Sequence, residues 1–343
     1  MIYISGHYLN RRVSGLARYA HQVNDALVSN GIISVNLPKF LSKYSLVRKI
    51  SLVLFELLWP CVTLGLNSRS IYISPSFSVP IFNSRRVIVV VHDLAFIEFP
   101  ECYSWSERLY YALNLYLAKI FKRIRIVVPS DFVRCDLIDK IGISRSRISV
   151  INPYSSLDNK TGLESNGEYI NGKEVSGEKY ILLVSNGHPR KNLKATIDGY
   201  LKSEMPRLGV FLYLVGTFES SYHQISSEFI RVLDSVSDED LISLYRNAYG
   251  AALFSLNEGF GIPVVEASNF QIPCIHSNNT GLNSFDLDFC LPKCVIQVDA
   301  IAKHFNTLID SEQRDYYLKL GGRISDQFCR DNFDQGWVTL VEI

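Results

Sequence analysis

Paired cysteines are missing from this sequence of 343 residues: its seven cysteines (Cys61, Cys102, Cys135, Cys274, Cys290, Cys294 and Cys329) are scattered, odd in number and never spaced as CxxC. That excludes a disulfide framework and points to free thiols in a reducing compartment. Cys290 and Cys294 are followed by no second pair at zinc spacing, so no metal site is expected. Long apolar runs are missing too. The most lipid-like stretch, residues 50–66, is 17 residues long and carries Glu56 and Pro60. It is at or below spanning length, and it reads as a core helix ending at Pro60 rather than a membrane anchor. The opening MIYISGHYLNRR lacks the basic region, apolar run and small-residue cleavage site of a secretion signal, so a cytoplasmic location is expected.

Net charge is nearly missing as well, with 35 Lys and Arg against 34 Asp and Glu. The balance hides an asymmetry: residues 1–160 hold 20 basic against 10 acidic residues, and residues 161–343 hold 15 against 24. A basic half implies an anionic partner such as a phospholipid surface or a lipid-linked pyrophosphate. The basic groups (Lys39, Lys43, Arg48, Lys49; Lys119, Lys122, Arg123, Arg125) match no nucleic-acid recognition pattern, and no nucleic acid is expected.

What is present is enough apolar material for two cores, 47% hydrophobic against 20% charged residues, in a chain long enough for two domains. Short β-rich runs alternate with helical patterns: IYIS at 2–5, IYIS at 71–74, VIVVV at 87–91, RIVV at 125–128 and ISVI at 148–151. Such alternation predicts a parallel, doubly wound sheet. Ser104 and Glu107 have capping-box spacing, and Leu109, Leu113, Leu117, Ile120 and Phe121 then repeat at helical intervals as the apolar face of a covering helix. From Ser155 the apolar period is lost in a Gly-, Asn- and Ser-rich segment. It restarts with YILLV at 180–184, VFLYLV at 210–215, GAALFS at 250–255 and IPCIH at 272–276. The expected organisation is a first domain over 1–157, a linker over 158–179 and a second domain over 180–343. Ligands of open α/β sheets bind beyond the carboxyl ends of the strands, so chemistry is expected on the strand-ending loops.

The most informative stretch is SLNEGFGIPVVEASN at 255–269, directly after a predicted strand. Gly259 and Gly261 flank Phe260 and allow close backbone approach, Ile262 and Pro263 open a helix, and Glu258 and Glu266 are separated by seven residues. Free N–H groups at that helix start favour a diphosphate. In NGHPRKNL at 186–193, Gly187 precedes Arg190, a forked donor, and Lys191, a compact charge. VSGLARY at 13–19 supplies Gly15, and VHDLAFIEFP at 91–100 places His92 and Asp93 at a strand end. VSDEDLISLYRNA at 236–248 reads as a helix capped by Ser237, with Leu241, Leu244, Tyr245 and Ala248 as core.

These motifs together resemble the family-4 retaining glycosyltransferases, in particular bacterial polysaccharide and O-antigen mannosyltransferases. The resemblance implies the GT-B fold: two Rossmann-like open parallel-sheet domains facing a cleft, acceptor on the first, nucleotide sugar on the second, and a C-terminal helix crossing back to the first. It implies that Glu266 binds the donor ribose and that Glu258, with Gly259, Phe260, Gly261 and Ile262, holds the transferred sugar. By the same resemblance Arg190 and Lys191, beside Gly187, grip the pyrophosphate, Gly15 covers the phosphates, and His92 with Asp93 stands beside the reacting sugar. The activity implied is metal-independent transfer of a hexose, mannose preferred, from a nucleotide diphosphate donor such as GDP-mannose. The acceptor is a lipid-linked or polysaccharide glycan at the inner face of the cytoplasmic membrane, and no cofactor is needed. Two other readings remain open, an epimerase on the same fold and a non-catalytic nucleotide-sugar-binding scaffold. One departure concerns Asn278, Asn279 and Thr280, where the family usually continues to a further Glu.

Overall fold

A computed structural model describes residues 1–6, 9, 15–35, 70–80, 86–157, 169–170, 173–174, 177–220, 222, 225, 227–234, 236–278, 281, 291–292 and 297–342. The 50–66 segment, the Lys39 to Lys49 group, most of 158–179, Cys290, Cys294, and Asn279 with Thr280 lie outside the described residues. The chain forms two compact units, Met1–Pro153 with Arg330–Ile343, and Tyr154–Cys329.

In the first unit, β1 (Ile2–Ser5), β2 (Ile32–Val35), β3 (Ile71–Ser74), β4 (Arg86–Val90), β5 (Ile124–Val128) and β6 (Ile148–Val150) form one parallel sheet in the order β2-β1-β3-β4-β5-β6. Adjacent strands are in direct register, Ile73 opposite Ile88 and Val89 opposite Ile126. β3 and, beyond Arg86, β4 are buried on both faces, which is why they read as near-continuous apolar runs, and β5 is buried apart from Arg125. The edge strand β2, IISV, was not among the sequence-predicted strands because an edge needs only half the apolar signal.

Among the described residues, four α-helices follow these strands: α1 (Gly15–Leu27), α2 (Ala95–Glu98), α3 (Trp105–Ile120) and α4 (Asp131–Asp136). The predicted capping box of α3 is present: Glu107 N donates to Ser104 Oγ at 3.3 Å and Ser104 N donates to Glu107 Oε2 at 2.9 Å. Its apolar face is corrected by the structure. The helix buries Asn114, Leu115, Leu117 and Ala118, whereas Leu109, Leu113, Ile120 and Phe121 are exposed. The reason is Asn114, whose Oδ1 accepts from Val79 N at 2.7 Å and fixes which side meets the sheet. A buried polar anchor overrides the apolar count.

The second unit repeats the plan. β9 (Lys179–Asn186), β10 (Val210–Thr217), β11 (Ile230–Asp234), β12 (Gly250–Leu253), β13 (Cys274–Asn278) and β14 (Leu291–Pro292) are ordered β11-β10-β9-β12-β13-β14, all parallel. The short β7 (Tyr169–Ile170) and β8 (Lys173–Glu174) pair antiparallel within the stretch expected to be linker. Around the sheet lie α5 (Leu193–Lys202), α6 (Asp238–Asn247), α7 (Ile262–Asn269), α8 (Val298–Thr307) and α9 (Ser311–Gln327). Two cores separate on its faces, one around Leu182, Tyr245 and Val265, the other around Ile181, Tyr200 and Phe305. This alternation of neighbours Ile181 and Leu182 follows from the two-residue period of a strand. The last helix, α10 (Arg330–Glu342), belongs to the first unit and packs Phe333 against Tyr19 of α1 at 5.7 Å between ring centroids.

Candidate active site

The strand order of the second unit reverses direction between β9 and β12, and that switch point is where open α/β sheets leave a crevice for ligands. Both sequence motifs of this unit leave from it. After β9 the chain turns through Gly187 and His188 into a single 3₁₀ turn, Pro189–Lys191. Proline sets its first φ, and Arg190 N donates to His188 Nδ1 at 3.3 Å. After β12 it runs through Ser255 to Gly261, then into α7. The two loops are tied together: Leu256 N donates to Arg190 O at 2.8 Å, and Asn192 Nδ2 donates to Phe254 O at 3.2 Å.

Glu258 stands at the centre, only 7% exposed. Arg190 Nη1 donates to its Oε2 at 3.2 Å and to Asn257 O at 2.9 Å, while Lys191 Nζ and Ser255 Oγ (2.7 Å) both donate to Oε1. Burial alone would raise the pKa of this carboxyl, but the charges of Lys191 and Arg190, with the hydrogen bonds from Lys191 and Ser255, hold it at about 2. Because the folded value lies below the ordinary 4.5, the group stabilises the fold fully above that pH and loses the contribution as pH falls toward 2. The effect is on the order of 3 kcal/mol. Urea midpoints should therefore drop between about pH 5 and pH 2, and Glu258→Gln should flatten that drop; equal pH dependence in both proteins would remove Glu258 from the acid response.

Glu266 lies in α7, 4% exposed, and accepts from Tyr245 Oη at 2.7 Å. Tyr245 stacks on Phe270 at 5.3 Å. Gly261, at φ +101°, precedes the first residue of α7, Ile262; that conformation favours glycine, and no side chain caps the helix. The ring of Phe260 packs edge-on against Phe328 at 4.9 Å inside the core, so only its backbone can face a ligand. Ile262 packs on the same core. Gly187 N donates to Thr217 O at 3.0 Å.

Sequence reasoning missed three contributors here. Ser255 and Tyr245 orient the two carboxylates, and their signals were a polar residue at a buried strand end and a tyrosine on an apolar helix face. The third is Gly281: its N donates to Glu258 O at 2.8 Å, and a Cβ there would meet Gly259 O at 2.0 Å.

In the first unit, His92 follows β4, and its Nε2 lies 2.8 Å from Pro75 O, beyond the end of β3. Its ring meets Tyr19 edge-on at 4.9 Å. Burial raises the pKa of Tyr19. Asp93 Oδ1 accepts from Ala95 N at 3.1 Å, capping the short α2. Gly15 opens α1, exposed, with open space around it.

Two parallel α/β units with these strand orders make up the GT-B fold. HepE of Anabaena, solved in complex with UDP-glucose, has the same fold (TM-score 0.72, 14% identity, covering 100% of this chain and 99% of that one). More narrowly, residues 168–322 match the family model of Glycosyl transferases group 1, and the chain carries a glycosyltransferase domain of that group. The chain is similar to O-antigen chain mannosyltransferase B of Escherichia coli, at 27% identity over 273 residues, 76% of this chain and 71% of the relative. It is also similar to O-antigen chain mannosyltransferase RfbU of Salmonella typhimurium, at 25% identity over 227 residues, 63% of this chain and 58% of that protein's length.

Proposed function

We propose that this glycosyltransferase moves a mannose from GDP-mannose to a lipid-linked or polysaccharide acceptor at the inner face of the membrane, with retention and without a metal ion. The observation that carries the reading is the convergence of Arg190 and Lys191 on Glu258 at the switch point of a group 1 domain. Charge accumulates on the leaving diphosphate as the glycosidic bond breaks, and fixed cations stabilise it without reorganisation. A guanidinium carries five N–H groups and an ammonium three, so each can serve a carboxylate on one side and a phosphate on another. Glu258 then sets the position of both cations and presents its own loop to the sugar. Glu266 takes the ribose hydroxyls, and the family resemblance assigns His92 with Asp93 to the reacting sugar and Gly15 to the phosphates. Similarity to two O-antigen mannosyltransferases supports mannose as the sugar.

A thermal-shift panel of GDP-mannose, UDP-glucose and UDP-N-acetylglucosamine tests the donor. At about 100 times its Kd the true donor adds about 2.7 kcal/mol to stability, so GDP-mannose should raise Tm by several degrees and the uridine sugars by much less. A larger shift with a uridine sugar would replace the donor assignment. Retention is checked by the anomeric configuration of the product.

A further inference from the structure

Among the described residues of the first unit, the face of α3 that the sheet does not use is the most apolar exposed surface. Trp105 is 75% exposed, Leu109 53%, Leu113 41%, Tyr116 60% and Ile120 44%. At 100° per residue these five fall within an arc of about 80°, a single stripe along a helix about 24 Å long. Cations border it. Arg108 and Lys119, both exposed, lie along one edge, and Lys122 and Arg123 follow the helix end. The helix holds one acid, Glu107, on its far side and engaged in the capping box. The stripe is also rigid: Asn114 anchors the middle of α3 to Val79, and Arg147 donates to the carbonyls of Lys119 (3.1 Å), Phe121 (2.9 Å) and Ala118 at its end.

We infer that this face of α3 docks on an anionic phospholipid surface, deepening the reading of a membrane-borne acceptor. The helix would lie in the interfacial plane, with Leu109, Leu113 and Ile120 at the acyl boundary and Trp105 and Tyr116 at headgroup level, where amphipathic rings settle. Arg108, Lys119, Lys122 and Arg123 pair with lipid phosphates. Charge complementarity selects this occupant over an apolar protein groove, because cations line one edge and the C-terminal end of the stripe and no carboxylate of the helix shares it. Preorganisation means that binding needs no folding step.

The full chain is sedimented with vesicles of phosphatidylglycerol and phosphatidylcholine, or phosphatidylcholine alone. Wild type should bind the anionic vesicles at least about tenfold more tightly, with reversal by high salt. Trp105 emission should shift to the blue on binding. Leu109→Ser with Leu113→Ser should lower that affinity about tenfold or more, and Lys119→Gln with Lys122→Gln should lower it severalfold. Both leucines are exposed, so melting temperature and the GDP-mannose shift should be unchanged; if the pair melts early, Trp105→Ser repeats the test at a 75% exposed position. Absent binding by wild type, undiminished binding by the serine variants, or a wild-type dimer that the serine variants convert to monomer would each overturn the proposal, the last assigning the stripe to a second copy. Loss of the donor shift with vesicle binding intact would count against the proposed reaction and leave the docking face standing.

Discussion

Replacing both cations, in the Arg190→Ala, Lys191→Ala variant, is expected to lower turnover at saturating donor by about 10²-fold or more, the scale for removing preorganised donors from a developing anion. The same change strips Glu258 of both ion pairs while leaving it buried, which costs roughly 3–5 kcal/mol in comparable cases. Stability and catalysis must therefore be read separately. Urea midpoints report the first. For the second, affinity for the nucleoside diphosphate product should fall with turnover, while affinity for the corresponding nucleoside should hold, since the proposed role has the cations meet only phosphate. Equal loss for both ligands would point to a collapsed site. Near-normal turnover in the folded variant would make the pair a structural ion cluster.

That ion cluster was only half legible in the sequence. The PRK turn and the GFG loop were visible as motifs, and their meeting at the switch point follows from the parallel order β9 beside β12. What no spacing revealed is that the carboxylate assigned to the sugar and the cations assigned to the diphosphate satisfy one another across 67 and 68 residues of sequence. Such pairing depends on burial, because an exposed Glu258 would have been solvated instead. The strands read correctly include the doubly buried Ile71–Ser74, Arg86–Val90 and Lys179–Asn186, and also Ile148–Val150 at the edge of its sheet. The ones missed in the two parallel sheets, Ile32–Val35, Ile230–Asp234 and Leu291–Pro292, are edge strands, where a short or half-buried run gives a weaker apolar signal. α3 shows the opposite failure: its periodicity was real, but a stripe of leucines identifies an apolar face without saying what covers it. Asn114 decided which face met the sheet, and a buried asparagine carries no periodic signal.

Loss of the Glu266 carboxylate in Glu266→Ala should weaken donor binding by roughly 1.5 to 3 kcal/mol, the worth of hydrogen bonds to a charged group. That is about ten- to 150-fold in Kd. The effect belongs to Kd more than to turnover, because ribose hydroxyls are held alike in ground and transition states. Structure adds a second term. Glu266 accepts from Tyr245, itself 1% exposed, and removing the acceptor deprives a buried hydroxyl of that partner at a cost of about 1–3 kcal/mol in stability. Two companions separate the terms. Glu266→Gln keeps an acceptor for Tyr245 and removes the charge, so it should keep most of the stability and lose most of the affinity. Tyr245→Phe leaves the carboxylate in place but releases one of its anchors, so donor affinity should fall only severalfold while Phe270 keeps the ring stacked. Unchanged donor affinity in a folded Glu266→Ala protein would sink the ribose assignment and leave the Tyr245–Glu266 bond as a core contact between α6 and α7.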